Sequence, residues 1–158
     1  MLEDLEVEGY FASNPSSAEK LRPKFYQRVR VISKFLPVTD LVLPLQGKDF
    51  LAGFETKGTN SRWLVLLHYG YLELENHEAQ FQRIGLKFSA LVQSHLKHSL
   101  IRITIIDELR ELAGYILKVD KNSIVLFTTS GQMLHIPNRS IILLAVEKLS
   151  IKDKLSAT

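Results

Sequence analysis

The side chains of this sequence that could do chemistry are cationic and aromatic. From Lys20 to Lys34 the chain carries Lys20, Arg22, Lys24, Arg28, Arg30 and Lys34 with no acid between them. From Gln80 to Ile106 it carries Arg83, Lys87, Lys97 and Arg102, with His95 and His98, again with no acid. Cations clustered in this way suit a polyanion, most simply a nucleic acid. They equally suit two helices with solvated basic faces. Arg62-Trp63 and Tyr69-Gly70-Tyr71 add ring faces on which bases can stack. Such rings also serve core and edge packing.

Bond chemistry has less support. His68, His77, His95, His98 and His135 are scattered, with no His-Glu-x-x-His spacing. His95 and His98 stand three apart on an expected helix, a spacing that could hold a metal but reads more simply as helix-end basicity. No glycine-rich phosphate loop, nucleophile elbow or paired-carboxylate signature occurs. Asp107, Glu108 and Glu111 lie near a turn and read as solubilising charges. With no cysteine, disulfides and thiolate metal sites are excluded. The expectation is a non-enzymatic protein with no catalytic residue, metal site or cofactor.

The elements that must position these groups repeat. Leu51-Ala52-Gly53-Phe54 returns 61 residues later as Leu112-Ala113-Gly114-Tyr115. Asn60-Ser61 returns as Asn122-Ser123, and Gly70 as Gly131. A fixed period means one supersecondary unit used twice. The chain has 158 residues, enough for one ordinary domain or two small ones. Two small units would be marginal alone, so they are expected to share a core or associate. No apolar run approaches the roughly 20 residues that span a membrane. The acidic start Met1-Leu2-Glu3-Asp4 lacks the features of a signal peptide, so a cytoplasmic protein is expected.

Along the chain, residues 1–15 read as a flexible acidic arm and 151–158 as a tail, with a first unit at 16–77 and a second at 78–150. Leu21, Phe25, Val29, Ile32 and Phe35 follow a helical period, interrupted early by Pro23 and closed by Pro37. Strands are expected at 38–45, with Pro44 marking an edge or bulge, then at 50–57, 63–69 and 71–75. The pattern then restarts. Phe81, Ile84, Phe88, Leu91, Val92 and Leu96 share one face of an expected helix over 78–98. Strands follow at 99–107, 109–119, 124–128, 132–136 and 141–146. The fold class is therefore mainly β with α: tandem small barrels of the SH3-like kind, each preceded by a helix.

The second half resembles the Sm-like fold, in particular its bacterial branch, the RNA chaperone Hfq, over roughly 78–148. The resemblance rests on Leu112-Ala113-Gly114-Tyr115-Ile116-Leu117-Lys118-Val119-Asp120, then Ile124-Val125-Leu126, which matches the family's first motif. Ile136-Pro137-Asn138-Arg139-Ser140-Ile141 stands at the second, with Asn138-Arg139 where Hfq proteins carry Lys-His. The first half resembles the family only through the repeat, with Asn76-His77 loosely echoing Asn138-Arg139.

The resemblance implies a cytoplasmic protein of post-transcriptional regulation that oligomerises and holds single-stranded RNA. Its rings form when the fourth strand of one barrel pairs with the fifth of the next, here 132–136 with 141–146 of a neighbour, the alternative being a self-contained pair of barrels within one chain. RNA-binding positions carried over are Lys121 and Asn122, Asn138 and Arg139, and, at the rim after the helix, Lys97, His98 and Arg102. Through the repeat, Asn60 with Arg62 and Trp63 joins them. The expected partners are single-stranded RNA and further copies of the chain. The alternative is a protein-interaction scaffold on the same barrels with little or no RNA binding.

Overall fold

The computed structural model describes residues 28–55, 62–75 and 81–146. The first four strands are β1 (Arg28–Ile32), β2 (Thr39–Gln46), β3 (Leu51–Glu55) and β4 (Trp63–Leu66). They are followed by β5 (Tyr71–Leu74) and the two-residue β6 (Gln82–Arg83). Among the described residues one short helix, α1 (Phe88–Leu91), continues as a π-helical stretch, Val92–Leu96. The remaining strands are β7 (Ile101–Ile105), β8 (Arg110–Val119), β9 (Ser123–Thr128), β10 (Met133–Pro137) and β11 (Ile141–Val146). A single 3-10 turn, Asn138–Ser140, joins β10 to β11.

All eleven strands among the described residues belong to one sheet, in the order β10-β9-β8-β7-β11-β4-β3-β2-β1-β5, with β6 set beside β2. Every pairing is antiparallel except β2 with β6. The path has an internal regularity. The five strands β1–β5, counted in chain order, lie side by side as fourth, third, second, first, fifth, and so do β7–β11. The two sets meet where β11 pairs with β4, Leu144 opposite Val65. The second strand of each set is the long one and carries a register shift, between Val42 and Leu45 in β2 and between Ile116 and Lys118 in β8. Pro44 sits inside the first of these shifts, where a residue without an N–H is tolerated.

Burial follows from this order. β4 and β11 lie in the middle of the sheet with both faces covered, so Trp63-Leu64-Val65-Leu66 and Ile141–Val146 are buried throughout. Trp63, Val65, Ile141, Leu144 and Val146 face the larger core with Phe54, Phe88 and Leu96. Leu64, Leu66, Ile142, Leu143 and Ala145 face the other, with Val29, Val31 and Leu41. A continuous apolar run is what a strand buried on both faces requires, and an alternating one would bury polar groups.

The mainly-β expectation holds, and most strand positions agree to within a few residues. Among the described residues, however, the sheet is open: its hydrogen-bonded path ends on β10 and β5 and does not close around either half. The helices differ more. Residues 28–32 form a strand, because Val29 and Val31 alternate with Arg28 and Arg30 and only the valines are buried. The part of the expected first helix that precedes Arg28, with Leu21, Pro23 and Phe25, lies outside the described residues, as do the expected arm and tail. The second helix shrinks to 88–96, because the chain before it is extended and hydrogen-bonded to the β2–β3 turn. Ile84 N–H donates to the Gln46 carbonyl (3.0 Å), and the Leu86 carbonyl accepts from Lys48 N–H (2.8 Å). The helix then starts where the Asp49 carboxylate accepts the Phe88 N–H at 2.6 Å.

The repeat also needs correction. Leu51–Phe54 lies in β3, the third strand of its set, whereas Leu112–Tyr115 lies in β8, the second. The structural counterpart of β7 is β1, in which Val29-Arg30-Val31 corresponds to Ile101-Arg102-Ile103, 72 residues on. The expected pairing of 141–146 with a neighbouring chain is overturned too, since β11 has β7 on one side and β4 on the other.

Candidate nucleic-acid interface

Two turns of the second half, far apart in the sequence, are joined. The β8–β9 turn, Asp120-Lys121-Asn122, is closed by Asp120 N–H donating to the Ser123 carbonyl at 2.9 Å. Pro137 ends β10, and the 3-10 turn that follows swings back so that Asn138 N–H donates to the Asn122 carbonyl at 2.9 Å. The Asn138 side-chain amide also reaches the Lys121 carbonyl at 3.5 Å, at the outer limit of a hydrogen bond. Its Oδ1 is buried with no hydrogen-bond partner among the described residues. The start of β11 is fixed to the β7 end by Ile106 N–H donating to the Ser140 carbonyl (2.8 Å). Lys121, Asn122 and Arg139 are all exposed on these two turns. Two cations and an amide therefore project from one hydrogen-bonded pair of turns, an arrangement that can hold phosphate and base edges together.

The first half reaches this cluster through an unexpected residue. His68, in the β4–β5 connection, has its Nε2 3.0 Å from the Arg139 carbonyl oxygen. Leu67 N–H donates to the Ile142 carbonyl at 2.9 Å, so the β4–β5 connection and the 138–140 turn lie against each other. The β11–β4 pairing brings them together. The sequence placed no functional weight on His68, because the phase of the Leu-Ala-Gly repeat hid that its connection is the counterpart of 138–140. The alternation shared by Arg28–Ile32 and Ile101–Ile105 is the signal that could have found it.

The other expected positions are placed differently. Lys97 and His98 form the turn between the π-helical stretch and β7, and no hydrogen bond or ion pair among the described residues ties them to the cluster. Arg102 is exposed on β7 and pairs with Glu111 of β8 at 3.2 Å, which offsets its charge. Arg30 of β1 does the same with Asp40 of β2 at 3.0 Å, and its pKa is raised by the hydrogen bond to Asp40, that carboxylate's charge and Glu73. Asn60 lies outside the described residues. Arg62 is half-buried and bonded to Glu55 at 2.8 Å, closing the β3–β4 hairpin. The Trp63 ring is buried edge-on against Phe54, 4.8 Å between centroids, and offers no open face to a base. In this half the second–third turn is also occupied, since Asp49 caps α1 and Lys48 is hydrogen-bonded to Leu86.

Two cavities occupy equivalent places, each between the turn after the first strand and the connection from fourth strand to fifth. That of the second half, about 270 Å³, is lined by Asp107, Glu108, Arg110 and His135 among aliphatic residues. That of the first half, about 530 Å³, is lined by Lys34, Phe35, His68, Tyr69 and Tyr71. Among the described residues no group of three or more His, Asp or Glu side chains could hold a metal ion. No described helix is long and apolar enough to cross a membrane. No protein-family model matches the chain, and no curated protein matches it at a significant level, so the candidate interface rests on its own geometry.

Proposed function

We propose that the chain is an Sm-like, non-enzymatic protein that binds single-stranded RNA and acts by holding strands for pairing. The observation that carries this reading is the hydrogen bond from the half-buried Asn138 to Asn122, which unites the exposed Lys121, Asn122 and Arg139 in one cluster. The strand order common to both halves supports it further. On this reading β4 beside β11 is a fourth strand beside a fifth, the junction of an Sm-like ring formed inside one chain. The outer edges of β10 and β5, unpaired among the described residues, are then the fourth and fifth strands that continue the ring between chains.

The test is anisotropy of labelled A-rich and U-rich RNA against purified protein over a salt series, with single-stranded DNA as comparison. The expected result is RNA-preferring binding that weakens as salt rises, with a log–log slope of about −0.7 per phosphate held. Arg139→Ala and Lys121→Ala are each expected to make that slope shallower by roughly one phosphate contact. Absence of binding at low salt would overturn the reading.

One observation favours a second reading, a protein-interaction scaffold. Tyr115, Phe127 and Met133 stand directly opposite one another across β8, β9 and β10 and are 47%, 43% and 68% exposed. An outward apolar row of this kind suits a protein surface. A protein partner retained after nuclease treatment, together with no RNA binding by the purified chain, would select it.

A further inference from the structure

We infer that the cavity of the first half is a base-stacking site for the RNA strand held by the Lys121–Arg139 cluster; this rests on the RNA reading above. The cavity opens between the β1–β2 turn and the β4–β5 connection, and its volume of about 530 Å³ lies within the range of small-ligand sites, about 300–1,000 Å³. Phe35, Tyr69 and Tyr71 line it, and no carboxylate does. The Lys34 ammonium stands 5.0 Å from the Phe35 ring centroid, which places a cation beside the aromatic wall. Rings that accept the face of any base and a cation that accepts its phosphate are the two requirements of single-strand binding.

The walls are fixed in place. Gly70 N–H donates to the Ile32 carbonyl at 2.8 Å, and a Cβ on Gly70 would stand only 2.8 Å from the same oxygen. Glycine thus lets the connection between Tyr69 and Tyr71 lie against β1. Tyr69 and Tyr71 are 36% and 60% exposed, so their rings are open to solvent and to a base. His68 belongs to the lining and also contacts the Arg139 carbonyl, so cavity and cluster are contiguous. The equivalent cavity in the second half is lined by Asp107 and Glu108 beside Arg110, and by no Phe, Tyr or Trp, so it offers a base no ring to stack on. The two sets of strands thus differ, one offering the stacking site and the other the phosphate-holding cluster, joined through His68.

Tyr69→Leu and Tyr71→Leu, singly and together, test this, with Tyr69→Phe and Tyr71→Phe as conservative variants and melting temperature as the folding control. The expected result is a loss of RNA affinity of about 5-fold or more per leucine substitution, with the salt slope unchanged and affinity retained by the phenylalanine variants. RNA carrying 4-thiouridine is expected to crosslink to the peptide spanning 68–71. If Arg139→Ala weakens binding while the folded leucine variants bind as tightly as the parent, the stacking site is refuted and the RNA reading stands. If the parent chain binds no RNA, both fall.

Discussion

Trp63 is the chain's single tryptophan, and at 2% exposure its ring belongs to the core. Its fluorescence is therefore expected to be blue-shifted, protected from iodide and unmoved by RNA; quenching by RNA would place the ring in the interface instead. Trp63→Ala is expected to destabilise the protein by about 3–5 kcal/mol in denaturant unfolding, through the cavity it leaves beside Phe54. Exposed cations differ from one another for equally local reasons. Arg102 already faces Glu111 at 3.2 Å, whereas no salt bridge joins Arg139 to a described carboxylate. Arg102→Ala is accordingly expected to change the salt slope of RNA binding less than Arg139→Ala does, and equal effects would show that the rim contributes equally.

At the scale of elements, β8 and β11 bear most of the structure's demands. β8 pairs with both β7 and β9, and at Gly114 the β9 backbone comes so close that a Cβ would collide with the Phe127 carbonyl. Gly114→Ala is expected to destabilise by about 1–3 kcal/mol, because strand backbones must separate and no flexible side chain can yield. A melting temperature equal to that of the parent would contradict this close approach. β11 is buried on both faces, and Leu144→Ala is expected to cost about 2–5 kcal/mol, read from the same unfolding curves. The helix is a smaller matter, since it retains only residues 88–96 and its start depends on one carboxylate, Asp49.

On the scale of the whole molecule, the decisive feature is that two sets of five strands share one sheet and leave two edges unpaired among the described residues. Leu74 is 47% exposed on the edge strand β5, and a lysine there should discourage pairing with a second chain while leaving the fold intact. Light scattering is expected to give a mass of several chains for the parent and a smaller one for Leu74→Lys. A parent mass of one chain would refute assembly through these edges, and an unchanged oligomer in the variant would move the contact away from β5.

What the sequence by itself determined was the local alternation. Ile101, Ile103 and Ile105, the Asp120–Asn122 and Ser130–Gly131 turns, and the apolar run Ile141–Val146 were legible because period and turn chemistry act over a few residues. It also marked Lys121, Asn122, Asn138 and Arg139, through a resemblance carried by short motifs. Tertiary structure decided between two local readings of residues 28–32, since Phe25, Val29 and Ile32 suit a helical period while Val29 and Val31 suit an alternating strand, and β2 and β5 supply the partners that select the strand. It alone decided the phase of the repeat, the pairing of β11 with β4, and the meeting of His68 with Arg139 across 71 residues of chain. Those choices depend on which strands exchange hydrogen bonds and which faces become dry, and neither quantity is written in any one segment.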